Sequence, residues 1–76
     1  MDSRILGIII KQYRKNKNLS QEVLSGLANV DRSHLSKIEL GLRSPTVAAL
    51  SKIANAMDIK ASDVLRAAEE VAAKRC

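Results

Sequence analysis

The sequence predicts a small all-α domain of five helices. Apolar residues recur at helical spacing, residues that favour helix ends separate the segments, and no stretch alternates as a half-buried strand would. The chain has 76 residues with one Tyr and neither Phe nor Trp, so its core must be built from aliphatic side chains. We expect a single domain over residues 1–76, with no room for a separate effector domain.

The first helix is predicted over about residues 3–17, where Leu6, Ile10 and Tyr13 share one face. Asn18 is expected to end it, because asparagine tolerates the left-handed backbone that helix ends often need. Ser20 is expected to cap the second helix. The buried residues predicted for that helix are Leu24, Leu27 and Ala28.

A short corner separates the second helix from the third. Asn29 is predicted to take left-handed geometry, Val30 to anchor the turn, and Asp31 to cap the third helix. The third helix should bury Leu35 and Ile38 and end near Gly41.

Two more helices follow the only proline of the chain, Pro45. Thr46 is expected to cap the fourth helix, and Ser62 the fifth, over about residues 62–75, with a corner at Asp58 and Ile59 between them. The inward stripe of the fourth helix is predicted to contain Val47, Leu50, Ile53, Ala54 and Met57. The strip of the fifth contains Val64, Leu65, Ala68, Val71 and Ala72.

Charge is distributed unevenly along the chain. The net charge is +5, and residues 1–45 hold eight of the 13 Lys and Arg but four of the eight Asp and Glu, which leaves +4 there and +1 in the remainder. Such an excess of positive charge favours binding to a polyanion. The alternative is a basic surface that is only solvated and has no partner.

The sequence offers few residues for catalysis or metal binding. Cys76 is the only cysteine, which excludes an internal disulfide and favours a reducing cytoplasm. His34 is expected to pack or cap, because no second His or Cys lies at ligand spacing. The serines lack a His and acid partner set, and no stretch approaches the ~20 apolar residues of a membrane span. We therefore expect no enzyme, no cofactor, no metal and no membrane insertion.

The third helix carries a basic face opposite its buried one. At 100° per residue, Arg32, Ser33, Ser36 and Lys37 fall together, with Leu40 one turn later. These side chains provide donors for guanine and hydroxyls for base edges or phosphate, with no acidic side chain in the way. The pattern is typical of a recognition helix that enters the DNA major groove.

Over about residues 6–66 the sequence resembles the lambda-repressor-like (Xre or Cro type) helix-turn-helix proteins. The resemblance is carried by 19–22 (LSQE), Leu24, Ala28, Val30, 35–36 (LS), 38–39 (IE), Gly41, Arg43 and 45–46 (PT). It implies a compact five-helix DNA-binding domain whose second and third helices form the helix-turn-helix. It also implies a regulator of transcription, such as a phage repressor, an antitoxin or a restriction-modification controller.

The resemblance also assigns roles to individual residues. It implies base contacts by Arg32, Ser33 and Lys37. Phosphate or groove contacts are implied for Gln21, Ser36 and Arg43, and Gln21 is also expected to brace the first reading residue. A structural salt bridge between the first and third helices is implied for Arg14 and Glu39.

The sequence departs from the family pattern at four positions. Asn29 replaces a turn glycine, and Ser25 replaces a common alanine but is still small enough for a close helix crossing. Leu40 and Leu42 stand where polar or basic residues are usual, so either could touch a thymine methyl or fold back on the core.

Two apolar surfaces raise the question of assembly. On the first helix the apolar arc extends through Ile9 and Ile5 to Ile8, and the fifth helix has its own strip. Either the two cover one another within the monomer, or part of this surface forms a homodimer interface. A homodimer would place two recognition helices in successive major grooves ~34 Å apart and would read a palindromic site.

The function expected from these observations is binding of double-stranded DNA by a homodimeric repressor. The alternative, from another class, is a protein-interaction module that uses the surfaces of Ile8, Leu40 and Leu42 to bind a toxin or an RNA polymerase subunit.

Overall fold

The computed structural model describes residues 2–74, and this part of the chain contains five α-helices and no strand. The all-α prediction is confirmed. The helices are α1 (Ser3–Asn16), α2 (Gln21–Ala28), α3 (Arg32–Glu39), α4 (Val47–Ala56) and α5 (Ala61–Lys74). Met1, Arg75 and Cys76 lie outside the described residues, so the expectations for Cys76 and for the last predicted residue of the fifth helix fall there.

Three corners are built on left-handed residues that are not glycine. Asn18, Asn29 and Asp58 have φ angles of 58°, 55° and 58°. Asparagine and aspartate tolerate this conformation better than most side chains do. The predicted ends of the first two helices and the predicted corner at Asp58 are therefore confirmed.

The core is aliphatic, as the composition predicts. α1 packs on α3 and α5, while α2 packs on α3 and α4. The largest side chains that are fully buried are Ile10, Leu24, Leu35, Ile38, Ile53, Met57 and Val64.

The close crossing of α1 and α3 depends on Gly7. A Cβ at this position would lie 2.2 Å from the Ile38 carbonyl oxygen and 2.8 Å from that of Glu39. Both distances are too short for any side chain, so glycine fixes how near the end of α3 lies to α1.

Two predicted core residues are exposed instead. Leu27 is 61% exposed and Val47 is 83% exposed. Ser25, by contrast, is buried, and its hydroxyl donates to the Glu22 carbonyl of the same helix at 3.0 Å. The predicted apolar stripes of α2 and α4 were therefore wrong at one residue each. The neighbouring helices cover only part of the apolar face of each helix, and Leu27 and Val47 lie outside the covered part.

The predicted cap of the fifth helix was also wrong. α5 begins at Ala61, so Ser62 lies inside its first turn. The Asp63 carboxylate accepts the Lys60 backbone N–H at 3.4 Å. A carboxylate in the first turn thus reaches back to the residue before the helix, as the second half of a capping box does.

The apolar surfaces of α1 and α5 largely cover one another within the monomer. Ile5 and Ile9 on α1 are buried, as are Val64 and Ala68 on α5. Ile8 remains 47% exposed beside a hollow of about 150 Å³, which is lined by Ile5, Ile8, Ile9, Gln12 and Val71. Between residues 2 and 74, no helix has the length and apolarity needed to cross a membrane.

Candidate nucleic-acid interface

The corner between α2 and α3 is closed by backbone hydrogen bonds. Asn29 has φ 55° and ψ 46°, and the Val30 N–H then donates to the Ser25 carbonyl at 2.9 Å. This is the pairing expected where a left-handed residue ends a helix. At the other end of α2, the Ser20 hydroxyl accepts the Val23 N–H at 3.0 Å. Both ends of the short helix that supports α3 are therefore fixed.

The exposed side of α3 forms what we call the reading face, defined as Arg32, Ser33, Ser36 and Lys37. Arg32, Ser33 and Lys37 are exposed and Ser36 is half-buried, whereas Leu35 and Ile38 on the opposite side are fully buried. The structure thus brings the predicted reading residues together on one surface, with two cations and two hydroxyls available to a partner.

One acidic residue lies beside the reading face, contrary to the expectation from the sequence. Asp31 occupies the N-cap position of α3, but its side chain makes no capping hydrogen bond. Instead Asp31 Oδ2 accepts from the Ser33 hydroxyl at 2.6 Å. The hydroxyl proton is engaged, so Ser33 presents its oxygen as an acceptor in this arrangement.

Behind the reading face, Arg14 of α1 and Glu39 of α3 form a buried ion pair. Arg14 Nε donates to Glu39 Oε2 at 2.7 Å, and Nη2 donates to Oε1 at 2.9 Å. Arg14 Nη1 also donates to the Leu19 carbonyl at 2.8 Å. The hydrogen bond to Glu39 raises the pKa of Arg14 further above its ordinary value, despite the opposing effect of burial.

Gln21, at the start of α2, joins the same carboxylate. Its Nε2 donates to Glu39 Oε1 at 3.0 Å, rather than to Arg32, the residue it was expected to brace. Glu39 therefore holds α1, α2 and α3 together and orients the Gln21 amide. No local pattern in the sequence indicates this bond, because Gln21 and Glu39 are 18 residues apart.

The loop after α3 carries the remaining predicted contact, Arg43, which is exposed. The loop starts at Gly41, whose φ of 78° suits glycine. Two backbone hydrogen bonds join the start of the loop to α3. The Gly41 N–H donates to the Ile38 carbonyl, and the Leu42 N–H donates to the Lys37 carbonyl, each at 3.0 Å. Leu40 and Leu42 are 63% and 74% exposed, so neither folds back on the core.

In the described part of the chain, no group of His, Cys, Asp and Glu side chains is arranged to hold a metal ion. His34 is half-buried on α3. The reading face itself offers hydrogen bonding and positive charge, both suited to an anionic, base-bearing partner.

Comparison with known proteins identifies this arrangement. A family model described as helix-turn-helix matches residues 10–64, which include the corner, the reading face and the loop. The chain belongs to the helix-turn-helix family.

Relatives of this helix-turn-helix chain include regulators from bacteria. The transcriptional regulator SinR of Bacillus licheniformis is 36% identical over 67 residues, which are 87% of this chain and 60% of SinR. The chain thus spans about 60% of the length of that relative.

Solved helix-turn-helix structures are similar in fold as well. The restriction-modification controller protein C.AhdI of Aeromonas hydrophila is 33% identical, with a TM-score of 0.81 over 83% of this chain and 96% of its own. A structure of the SinR protein in complex with the SinI protein is 38% identical, with a TM-score of 0.76 over 79% of this chain and 59% of its own.

Proposed function

We propose that this protein binds duplex DNA in a sequence-dependent manner and regulates transcription as a homodimeric repressor. The observation that carries the proposal is the reading face, a basic and hydroxyl-bearing surface on a helix that a fixed corner projects into solvent. An α-helix fits the major groove, where such side chains can hydrogen-bond base edges. The similarity to SinR, a transcriptional regulator, and to C.AhdI, a restriction-modification controller, supports the same function.

In this proposal the contacts divide into two classes. Arg32, Ser33 and Lys37 read bases, while Gln21, Ser36 and Arg43 contact phosphate or the groove edge. Arg14 and Glu39 do not reach the DNA but hold the surface together. Repression follows from occupation of a promoter, and activity follows the concentration of the protein.

A selection from a pool of random-sequence duplexes tests the function. The expected result is enrichment of a palindromic site whose half-sites lie about 10 base pairs apart, centre to centre, as two recognition helices of a dimer require. Binding is expected to weaken steeply as salt increases from about 50 to 200 mM, because phosphate contacts release counterions. DNA binding that is absent, or unaffected by salt, would contradict the proposal.

Two substitutions test the division of roles on the selected site. Arg32→Ala is expected to relax the preference at one base pair, with a loss of about 1–3 kcal/mol for the preferred base. Gln21→Ala is expected to weaken binding to every sequence by a similar factor. Affinities for the selected site and for single-base variants measure both effects. If both substitutions lowered all affinities equally, the assigned roles would be wrong.

A second candidate function is a protein-interaction module, which binds a toxin or an RNA polymerase subunit. It is favoured by one observation, the exposure of Ile8, Leu40 and Leu42. The solved complex of SinR with SinI is consistent with a protein partner for this fold. The salt titration separates the two candidates. A protein-interaction module that does not bind DNA would leave the duplex unbound at every salt concentration.

A further inference from the structure

The first turn of α1 is attached to the loop that carries Arg43. The Ser3 hydroxyl forms a hydrogen bond with the Ser44 hydroxyl across 41 residues of sequence. At the other end of the loop, the stem of Arg4 lies directly against Gly41, since a Cβ on Gly41 would be 2.5 Å from Arg4 Cγ and 2.8 Å from Arg4 Cα. Two successive residues of α1 therefore hold the two ends of the Gly41 to Ser44 loop.

These contacts place the stem of the Arg4 side chain beside the loop. The stem of the side chain is held at Gly41, two residues after α3 ends, while the residue as a whole is exposed. The stem of Arg4, on α1, thus lies against the first residue of the short loop that carries Arg43. Sequence reasoning missed this residue, because Arg4 and Arg43 are far apart in the chain and the resemblance begins after Arg4.

The stem of Arg4 packs on Gly41, but its positive charge does not stabilise α1. A positive charge in the first turn of a helix opposes the helix dipole, which favours an acidic residue there. The carboxylate that caps α1 belongs to Asp2, whose Oδ1 accepts the Arg4 backbone N–H at 2.8 Å. The ion pair found within residues 2–74 joins Arg14 to Glu39 and does not involve the Arg4 guanidinium. An exposed cation that the helix dipole does not favour, on a stem that lies beside the end of α3, is available to an external anion.

We propose that Arg4 is a further phosphate-contacting residue, which forms with Arg43 a basic rim beside the reading face. The partner is the DNA backbone next to the bases that α3 reads. The guanidinium of arginine stays protonated and offers several N–H donors, which suits phosphate oxygens. This inference rests on the proposed DNA-binding function and adds a contact at the start of α1 to it.

The test compares Arg4→Gln, Arg43→Gln and Arg66→Gln, titrated with salt against a mixed-sequence duplex. Glutamine keeps the first part of the stem that packs on Gly41 but removes the charge. Arg66 is exposed on α5 and serves as the matched control. Arg4→Gln and Arg43→Gln are each expected to reduce the slope of log K against log salt by about 0.9 for every phosphate that is no longer neutralised, and Arg66→Gln to leave it unchanged.

Thermal unfolding and a charge-preserving variant exclude a purely structural effect. Arg4→Gln is expected to keep or raise the melting temperature, and Arg4→Lys to retain most of the wild-type slope. If the wild type shows salt-dependent binding but Arg4→Gln leaves the slope of log K against log salt unchanged, the proposed role of Arg4 is wrong and the proposed function still stands. The same holds if the slope falls as far in Arg4→Lys as in Arg4→Gln. If the wild type itself shows no salt-dependent binding, the proposed function fails together with this inference.

Discussion

Replacing Glu39 by alanine is expected to lower the free energy of unfolding by about 3–5 kcal/mol. The substitution leaves the Arg14 guanidinium buried without the two hydrogen bonds, at 2.7 and 2.9 Å, that compensate its charge. It also removes the acceptor of the Gln21 amide. A buried cation without its partner is among the few changes that cost this much in a small domain.

Urea unfolding of the variant, compared with wild type at an equal m-value, measures this loss. Glu70→Ala is the matched control, since Glu70 is exposed on α5 and its removal should change the free energy of unfolding by less than about 0.5 kcal/mol. The double variant Arg14→Met with Glu39→Leu should be more stable than Glu39→Ala, because it leaves no buried charge. A loss of under about 1 kcal/mol for Glu39→Ala, typical of a surface ion pair, would contradict the structural role.

Gly7→Ala is expected to destabilise the fold by about 2 kcal/mol or more. The added methyl group would meet the Ile38 and Glu39 carbonyl oxygens at 2.2 and 2.8 Å, so α1 and the end of α3 must move apart. Backbone atoms in two helices cannot yield as a flexible side chain can. Because α3 carries the reading face, DNA affinity at a temperature where the variant is folded should also fall.

Gly26→Ala provides the opposite result in the same kind of experiment. Gly26 is exposed on α2, and a Cβ there would have no atom within 4 Å. Alanine in a helix interior is favoured over glycine by roughly 0.5–1 kcal/mol, so this variant should be more stable than wild type. If the two glycine variants changed the melting temperature in the same direction, the close crossing at Gly7 would not explain the effect.

The sequence predicted the parts of the fold that local chemistry determines. Leu35 and Ile38 could be assigned to the core because they share one face of a helix. Asn29 could be assigned a left-handed conformation because few other residues tolerate it. The same counting separated the reading face from the core, since the third helix is short and one side of it is wholly polar or basic.

The predictions from the sequence were wrong where the surroundings of a side chain depend on how the helices pack or on which of two hydrogen-bond partners it takes. Periodicity places Leu27 and Val47 at the edge of an apolar stripe, but only the position of the adjacent helix decides whether an edge is covered. Asp31 could bond either the backbone ahead of it or the nearby hydroxyl of Ser33, and it bonds the hydroxyl. The bond of Gln21 to Glu39 and the packing of Arg4 on Gly41 require the assembled helices and have no local signature.

Tyr13, the one aromatic residue of the chain, gives the protein a built-in optical reporter. It is half-buried at the seam of α1 and α5, beside a hollow of about 240 Å³ that Ala67 of α5 also lines. With no tryptophan present, the intrinsic fluorescence of the protein comes from this residue alone. Separation of α5 from α1 would change that emission, while the far-UV circular dichroism, which sums over all helices, changes only when helices unfold. Local opening of the seam and global unfolding can therefore be distinguished in one unlabelled sample.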